Sequence, residues 1–288
     1  MAYRCFNVEI ANQIAHIQLK RPEAMNSMVP EFWTELPEIV KEIDDAASAR
    51  VIVISSTGKH FSAGMDLAVF TGGNSAGTSA SRSPHEKGRT RASLRLSVLD
   101  IQESFNVLER ARVPVLIAIH GGCVGGAVDM ASACDCRYAT EDAFFVIQEI
   151  NIGMTADVGT FPRLCNLMPT GMVRELAYSG RRLTAKKALE LGLVNEIFPT
   201  QEKMLEHVMG LAKDIAEKSP LAVYGCKVMI NYARDHSVAD GLDYIATWQA
   251  GMYFPEADMM EAFKAKAEKR PGKFEELLPI RRRKLGAD

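Results

Sequence analysis

Apolar and polar residues alternate over residues 5–19, which predicts a strand, and Arg21-Pro22-Glu23 breaks it. Pro30 stands where a first helical turn would begin, and Phe32, Leu36, Ile39, Val40 and Ile43 then form a one-sided stripe to about Ala47. Val51-Ile52-Val53-Ile54-Ser55 is a continuous apolar run, the pattern of a strand covered on both faces. Strand, helix, strand predicts a parallel unit with a crossover helix. Residues 92–110 carry another helical stripe with Leu96, Leu99, Phe105 and Leu108, and 113–119 is the next buried strand. A helix over 128–133 and short strands over 135–138 and 143–148 follow. From Asp157 the pattern turns helical, over 157–167, 169–179, 184–191, 202–217, 219–234, 238–251 and 257–268, with one short strand at 193–197. The first two-thirds therefore reads as α/β and the last third as helical. The Met- and aromatic-containing stretch 244–254 fits packing on another subunit, and equally on its own domain.

Two stretches interrupt the pattern. Lys59-His60-Phe61-Ser62-Ala63-Gly64-Met65-Asp66-Leu67 is a loop of small residues, readable as a simple turn capped by Asp66. Residues 71–90 are Gly/Ser-rich and polar, which predicts a mobile surface loop, in the sharper reading an active-site flap.

Composition narrows the classes. With 47% apolar and 24% charged residues the 288-residue chain is an ordinary soluble globular protein, as one large domain or two. A net charge of −2 gives no reason to expect nucleic acid or an anionic membrane. No apolar run reaches the roughly 18 residues of a membrane span. The alternating start is neither a signal peptide nor a transit helix, and the terminal LGAD is no peroxisomal address, which fits a bacterial cytoplasm. Six cysteines without a CxxC pair read as reduced and mostly buried. The six histidines lack HxxxH or HExxH spacing, so no metal site is expected. Arg281-Arg282-Arg283-Lys284 is a solvated tail or, less simply, a phosphate-binding run.

The candidate chemistry lies over residues 117–160. A strand ends in His120-Gly121-Gly122, turns through Gly125-Gly126 and opens a helix, which brings bare backbone N–H groups close to whatever lies there. The same glycines also suit a turn built only for packing. Three acids stand among apolar residues. Asp129, in the first helical turn, either complements the helix dipole or moves protons. Glu149 leaves a buried strand, where desolvation would raise its pKa and suit proton transfer, unless it simply reaches water. Asp157 precedes a helix, and its spacing favours an N-cap over a catalyst.

RPEAMNSM at 21–28, HFSAGMDL at 60–67, AIHGGCVGGAVDMASACDCRYAT at 118–140 and GRRLTAKKALELGLVNEIFP at 180–199 resemble the enoyl-CoA hydratase/isomerase (crotonase) superfamily. The resemblance spans about residues 6–268. With GGAVD, FFVIQEINIGMTADVGT and ARDHSVADGLDYIATW, the chain is most similar to the Δ3,5-Δ2,4-dienoyl-CoA isomerases of that superfamily. The resemblance implies an α/β fold, a crotonase-like spiral of ββα units over 1–199. It implies a C-terminal helical trimerisation region over 200–288 that also closes the site, and a homotrimer or a hexamer of two trimers. The backbone N–H groups of Met65 and Gly126 would form an oxyanion hole for the thioester carbonyl. Ala24, Ala63, Gly64, Asp66 and Gly125 would bind the acyl-CoA, which lies bent over the 21–28 and 60–67 loops.

On the same resemblance, Asp129 and Glu149 match the two hydratase acids, and Asp157 is a third acid where many hydratases have a small residue. A 3,5-dienoyl-CoA would lose a C2 proton to Glu149 and gain one at C6 from Asp157, as in the oxidation of unsaturated fatty acids, with Asp129 in support. The reverse assignment of the two transfers stays open. CoA is part of the substrate, and no separate cofactor or metal is implied. The alternatives are a 2-enoyl-CoA hydratase using Asp129 and Glu149, and a non-catalytic RNA- or protein-binding relative.

Overall fold

The computed structural model describes residues 3–66, 68–71, 86–251 and 256–280. The Arg281–Lys284 run, most of the 71–90 loop, Leu67 and the end of the 244–254 stretch lie outside the described residues.

The first alternating stretch is two strands rather than one. β1 (Phe6–Ala11) and β2 (Ile14–Leu19) pair antiparallel, with Ala11 opposite Ile14. Asn12 and Gln13 sit between them at φ 51° and 65°, the left-handed pair of a two-residue hairpin turn. A two-residue turn keeps the alternation in step across it, so the pattern reads through as one strand.

β2 then runs parallel to β3 (Val51–Ser56), and α1 (Pro30–Ala46) is the crossover helix. Pro30 stands in its first turn, and Phe32, Leu36, Ile39, Val40 and Ile43 are buried. β4 (Val115–Ile119), β6 (Cys136–Thr140) and β9 (Glu196–Phe198) complete a six-stranded sheet in the order β1-β2-β3-β4-β6-β9, parallel beyond the first hairpin. The apolar runs are explained by its two faces. Ile52, Ile54, Val115, Ile117 and Ile119 join the main core, while Val51, Val53, Leu116 and Ala118 join a second cluster with Met204, Val208 and Ala212. Those last three lie on α8, introduced below, which covers that face.

A second, smaller sheet holds β5 (Gly122–Val124), β7 (Phe144–Val146) and β8 (Leu183–Thr184). β5 and β7 run parallel, and Ser62 bridges Cys123 on the other side of β5 in the same sense. The chain thus visits the large sheet and then the small one on successive turns: β3 then Ser62, β4 then β5, β6 then β7. This is the spiral of ββα units that the resemblance implies.

The remaining helices are α2 (Ala68–Thr71), α3 (Lys87–Arg110), α4 (Gly126–Ala133), α5 (Thr160–Leu167), α6 (Thr170–Ser179), α7 (Ala185–Glu190), α8 (Gln201–Ala216), α9 (Pro220–Asp235), α10 (Val238–Gly251) and α11 (Glu256–Glu268). α3 starts five residues before its apolar stripe does, and α5 starts at Thr160 rather than Asp157. The chain after α11 returns to the core, where the Arg50 guanidinium donates to the Phe274 carbonyl and the Glu276 carboxylate. Cys5, Cys123 and Cys134 are buried, Cys136 is half-buried, and Cys165 and Cys226 are exposed. Among the described residues no helix is long and apolar enough to cross a membrane, and no cluster of three His, Cys, Asp or Glu side chains suits a metal ion.

Candidate active site

The site is built from three neighbouring chain segments that leave the small sheet at the same end. The Val124 N–H donates to the Ser62 carbonyl at 3.1 Å and the Gly125 N–H to the Val146 carbonyl at 2.9 Å. Because Ser62, β5 and β7 run parallel, the residues that follow each are brought together. Those residues are Met65, Gly126 and Glu149.

The Met65 loop is docked against Met28. The Met28 N–H donates to the Gly64 carbonyl at 2.8 Å, and the Asp66 N–H to the Met28 carbonyl at 3.1 Å. Gly64 has φ 81°, and a Cβ there would lie 2.5 Å from the Val124 carbonyl oxygen and 3.4 Å from the Gly126 nitrogen. Only glycine lets these two backbones meet. Neither the Met65 N–H nor the Gly126 N–H donates to an acceptor among the described residues. Gly126 is the first residue of α4, so its N–H has no partner within the helix. A Cβ on Gly126 would sit 3.0 Å from the Met28 sulfur and 3.5 Å from the Trp33 ring. Two unengaged N–H groups beside an apolar wall are chemically able to donate to a negatively charged oxygen.

Asn26 holds the neighbouring loops, and the sequence reading passed over it inside RPEAMNSM. It is buried at φ 51°, a conformation that Asn tolerates better than most residues. Its side-chain amide donates to the Thr57 carbonyl at 2.8 Å and the His60 carbonyl at 3.2 Å, and its backbone carbonyl accepts the Ser62 hydroxyl at 2.8 Å. Ala24 closes the 3-10 turn Pro22–Ala24, and the Ala63 N–H donates to the Met25 carbonyl at 2.9 Å, so both stand on the loops expected to carry substrate. The Asp66 carboxylate accepts from the Ala68 N–H at 3.0 Å and the Ser27 hydroxyl at 2.8 Å. Those bonds, the Ala68 one foremost, hold it below the usual carboxylate range and commit it to shaping the loop.

Glu149 opens a 3-10 turn, Glu149–Ile152, rather than ending a strand. A Cβ on Gly125, at φ 54°, would lie 3.3 Å from its Oε1, so the carboxylate rests against the backbone next to Gly126. Burial pushes Glu149 up to about 7, its own backbone N–H opposes this, and the charges of Asp129 and Asp157 push it further up. Its Oε2 is buried and has no donor among the described residues.

Asp129 is buried on α4. Its Oδ1 accepts both the N–H and the hydroxyl of Thr160, each at 2.6 Å, while Oδ2 is buried without a partner among the described residues. Burial raises it to about 6, against the Thr160 bonds and the charge of Arg163. It stands in the first turn of α4, as expected, and its carboxylate bonds to the N-terminus of α5.

The cap expected at Asp157 is overturned. The N-cap of α5 is Gly159, and the Asp129 carboxylate takes the N–H of its first residue. The Asp157 backbone carbonyl accepts the Gln102 amide of α3 at 2.7 Å. Asp157 is exposed, yet the protein packed around it still raises its pKa. The charges of Asp129 and Asp157 both raise Glu149, and that of Asp157 also raises Asp129, so the three acids lie within electrostatic reach of one another. Thr160 and Arg163 belong to the same group, and nothing in the sequence pattern marked them.

The enoyl-CoA hydratase/isomerase family model matches residues 9–277. The mouse protein named Delta(3,5)-Delta(2,4)-dienoyl-CoA isomerase, mitochondrial, is 42% identical over 261 residues, covering 90% of this chain and 78% of that one. The Arabidopsis thaliana protein named Delta(3,5)-Delta(2,4)-dienoyl-CoA isomerase, peroxisomal, is 37% identical, covering 92% and 94%. The crystal structure of an enoyl-CoA hydratase from Bacillus anthracis superposes with TM-score 0.81 at 27% identity, covering 96% of this chain and all of that one.

Proposed function

Because the chain belongs to the enoyl-CoA hydratase/isomerase family, we propose that it converts a 3,5-dienoyl-CoA into the 2,4-dienoyl-CoA. The observation that carries this reading is a third carboxylate, Asp157, coupled to Glu149 and Asp129 beside two unengaged backbone N–H groups. The thioester oxygen lies between the Met65 and Gly126 N–H groups. C2, the next carbon, then faces Glu149, whose Oε1 rests against Gly125. Glu149 takes the C2 proton, and the negative charge spreads over the dienolate and onto the oxygen held by the two N–H groups. Asp157 gives its proton to C6, leaving double bonds at C2 and C4. One C–H bond breaks and one forms, and the two acids are reset by exchange with water. An acyl chain lying over Asp157 removes its water and raises its pKa further, which keeps it protonated for the donation. Each transfer is worth ~10² to 10⁴ in rate, and each oxyanion donor ~10² to 10³.

Hydration of a 2-enoyl-CoA is the second reading. Asp129 Oδ2 and Glu149 Oε2 are both buried acceptors without a donor among the described residues, and hydration would need a water held by both acids. The deciding experiment gives the purified protein a 3,5-dienoyl-CoA and, in parallel, a 2-enoyl-CoA. Fast appearance of the conjugated 2,4-dienoyl ultraviolet absorbance with slow hydration is the expected result. Hydration alone would make Asp129 and Glu149 the whole machinery, and inactivity on both would favour a binding role.

We read residues 200–288 as an oligomerisation region that also closes the site, although α8 itself packs on the large sheet. Val238, Leu242 and Ile245 of α10 make one stripe at helical spacing, exposed by 81%, 64% and 37%, and Ile230 of α9 is 70% exposed. A second copy would cover such faces. Light scattering should return three or six times 31.7 kDa, and a monomeric mass at assay concentration would remove the reading. The expected bacterial cytoplasm finds no support in the mouse and Arabidopsis thaliana isomerases, whose names place them in mitochondria and peroxisomes.

A further inference from the structure

Thr160 and Arg163 form a buried polar group behind Asp129. Thr160 is 1% exposed and directs both its N–H and its hydroxyl at one oxygen of Asp129. Arg163, one turn later on α5, is 8% exposed. Its guanidinium donates to the Asn106 side chain at 2.7 Å and the Glu109 carboxylate at 3.0 Å, both on α3, and to the Val158 carbonyl at 3.3 Å. A methyl group on Gly159, at φ 127°, would overlap that guanidinium, so the glycine makes room for the cation.

Titratable and charged groups face Asp129 from three sides. From one, Glu149 and Asp157 repel its charge. From α5, Arg163 attracts it, partly neutralised by Glu109 of α3. From β5 comes the Cys123 thiol, which burial keeps neutral. Burial raises Asp129, and Thr160 and Arg163 oppose this.

We propose that Thr160 is a positioning residue for proton transfer: its paired donors hold Asp129 as a fixed anion, and that anion sets how readily Glu149 gives up its proton. The inference rests on the reading of Glu149 as the proton-transfer group. A carboxylate with two donors on one oxygen favours its charged form, and a fixed charge beside a second carboxylate raises the second one's pKa. Without the hydroxyl, Asp129 takes up a proton at higher pH. Glu149 then faces a neutral neighbour and ionises at lower pH.

The test follows Thr160→Val and Thr160→Ser by two readouts. The first is a pH titration of the side-chain carboxyl of Glu149 by carbon-13 NMR, assigned with Glu149→Gln and made on the whole chain without substrate. The second is the pH profile of kcat/KM. Thr160→Val should lower the Glu149 midpoint by roughly half a unit to one unit. The fraction of plateau kcat/KM kept at pH 6 should rise about three- to five-fold. Thr160→Ser should match the parent in both. A Glu149 midpoint unmoved by Thr160→Val, or a rate lowered equally at all pH, would overturn the proposal. Should Thr160→Val not fold, Asp129→Asn must shift the Glu149 midpoint the same way, and an unmoved midpoint there overturns it too. The titration needs no turnover, so it decides the inference even if the chain proves inactive on a dienoyl-CoA.

Discussion

Asp157→Asn should lower isomerisation of a 3,5-dienoyl-CoA by about 10² to 10⁴, while hydration of a 2-enoyl-CoA stays within a few-fold of the parent. The amide keeps the shape of the side chain but cannot deliver a proton to C6. The substitution leaves the local fold alone, because the α5 N-terminus is held by Asp129 and the bond from Gln102 goes to the Asp157 backbone carbonyl. Glu149 remains able to take the C2 proton. Exchange of C2 hydrogen with deuterated water should therefore continue after isomerisation has stopped, which separates the first transfer from the second. The measurement is the conjugated-diene absorbance beside mass spectrometry of recovered substrate. Isomerisation within several-fold of the parent would take Asp157 out of the mechanism. Loss of isomerisation, hydration and C2 exchange together would mean that the substitution damaged the site rather than one step.

The strands and helices that carry the core were legible because they are long or densely apolar. The run at 51–55 announced a strand with two covered faces, and the alternate residues of β3 do enter two different clusters. The stripe from Phe32 to Ile43 fixed α1, and its five residues are the buried ones. The small sheet was legible only in part. The strand read over 143–148 is β7, but β5 is three residues long inside a glycine cluster and β8 is two residues long, too short for any periodicity. Yet that sheet assembles the site, since parallel pairing of Ser62, β5 and β7 brings positions 65, 126 and 149 together. Convergence of residues so far apart in sequence is a property of register, and one chain read alone shows no register. Asp157 looked like a cap because local spacing cannot reveal that a carboxylate from α4 already occupies the helix end. The motifs supplied by resemblance pointed to Met65, Gly126, Asp129, Glu149 and Asp157. Thr160 and Arg163 came only from the side-chain geometry.

Glu149→Gln should abolish both reactions, lowering each by about 10² to 10⁴, and should also make the protein more stable at alkaline pH. The two effects have one cause. Burial, with the charges of Asp129 and Asp157 behind it, pushes the carboxyl up to about 7 from the ordinary glutamate range. At low pH the group is neutral in both folded and unfolded chains and its ionisation affects stability little. As pH rises from the unfolded value, the unfolded chain ionises freely while the folded chain resists. The folded state thus loses stability through the interval, and the deficit is complete above about 7. Its size is about 2 to 3 kcal/mol, since each unit of difference is worth roughly 1.4 kcal/mol and Glu149 is only partly shielded. Gln cannot ionise, so the variant and the parent should unfold at similar temperatures at pH 5, with the variant several degrees higher at pH 8.5. The same property that weakens the fold lets the carboxylate accept and release a proton near neutral pH. An active hydratase in this variant would end the claim that one acid serves both reactions. An inactive variant whose stability tracked the parent at every pH would show that Glu149 acts by position rather than through a raised pKa.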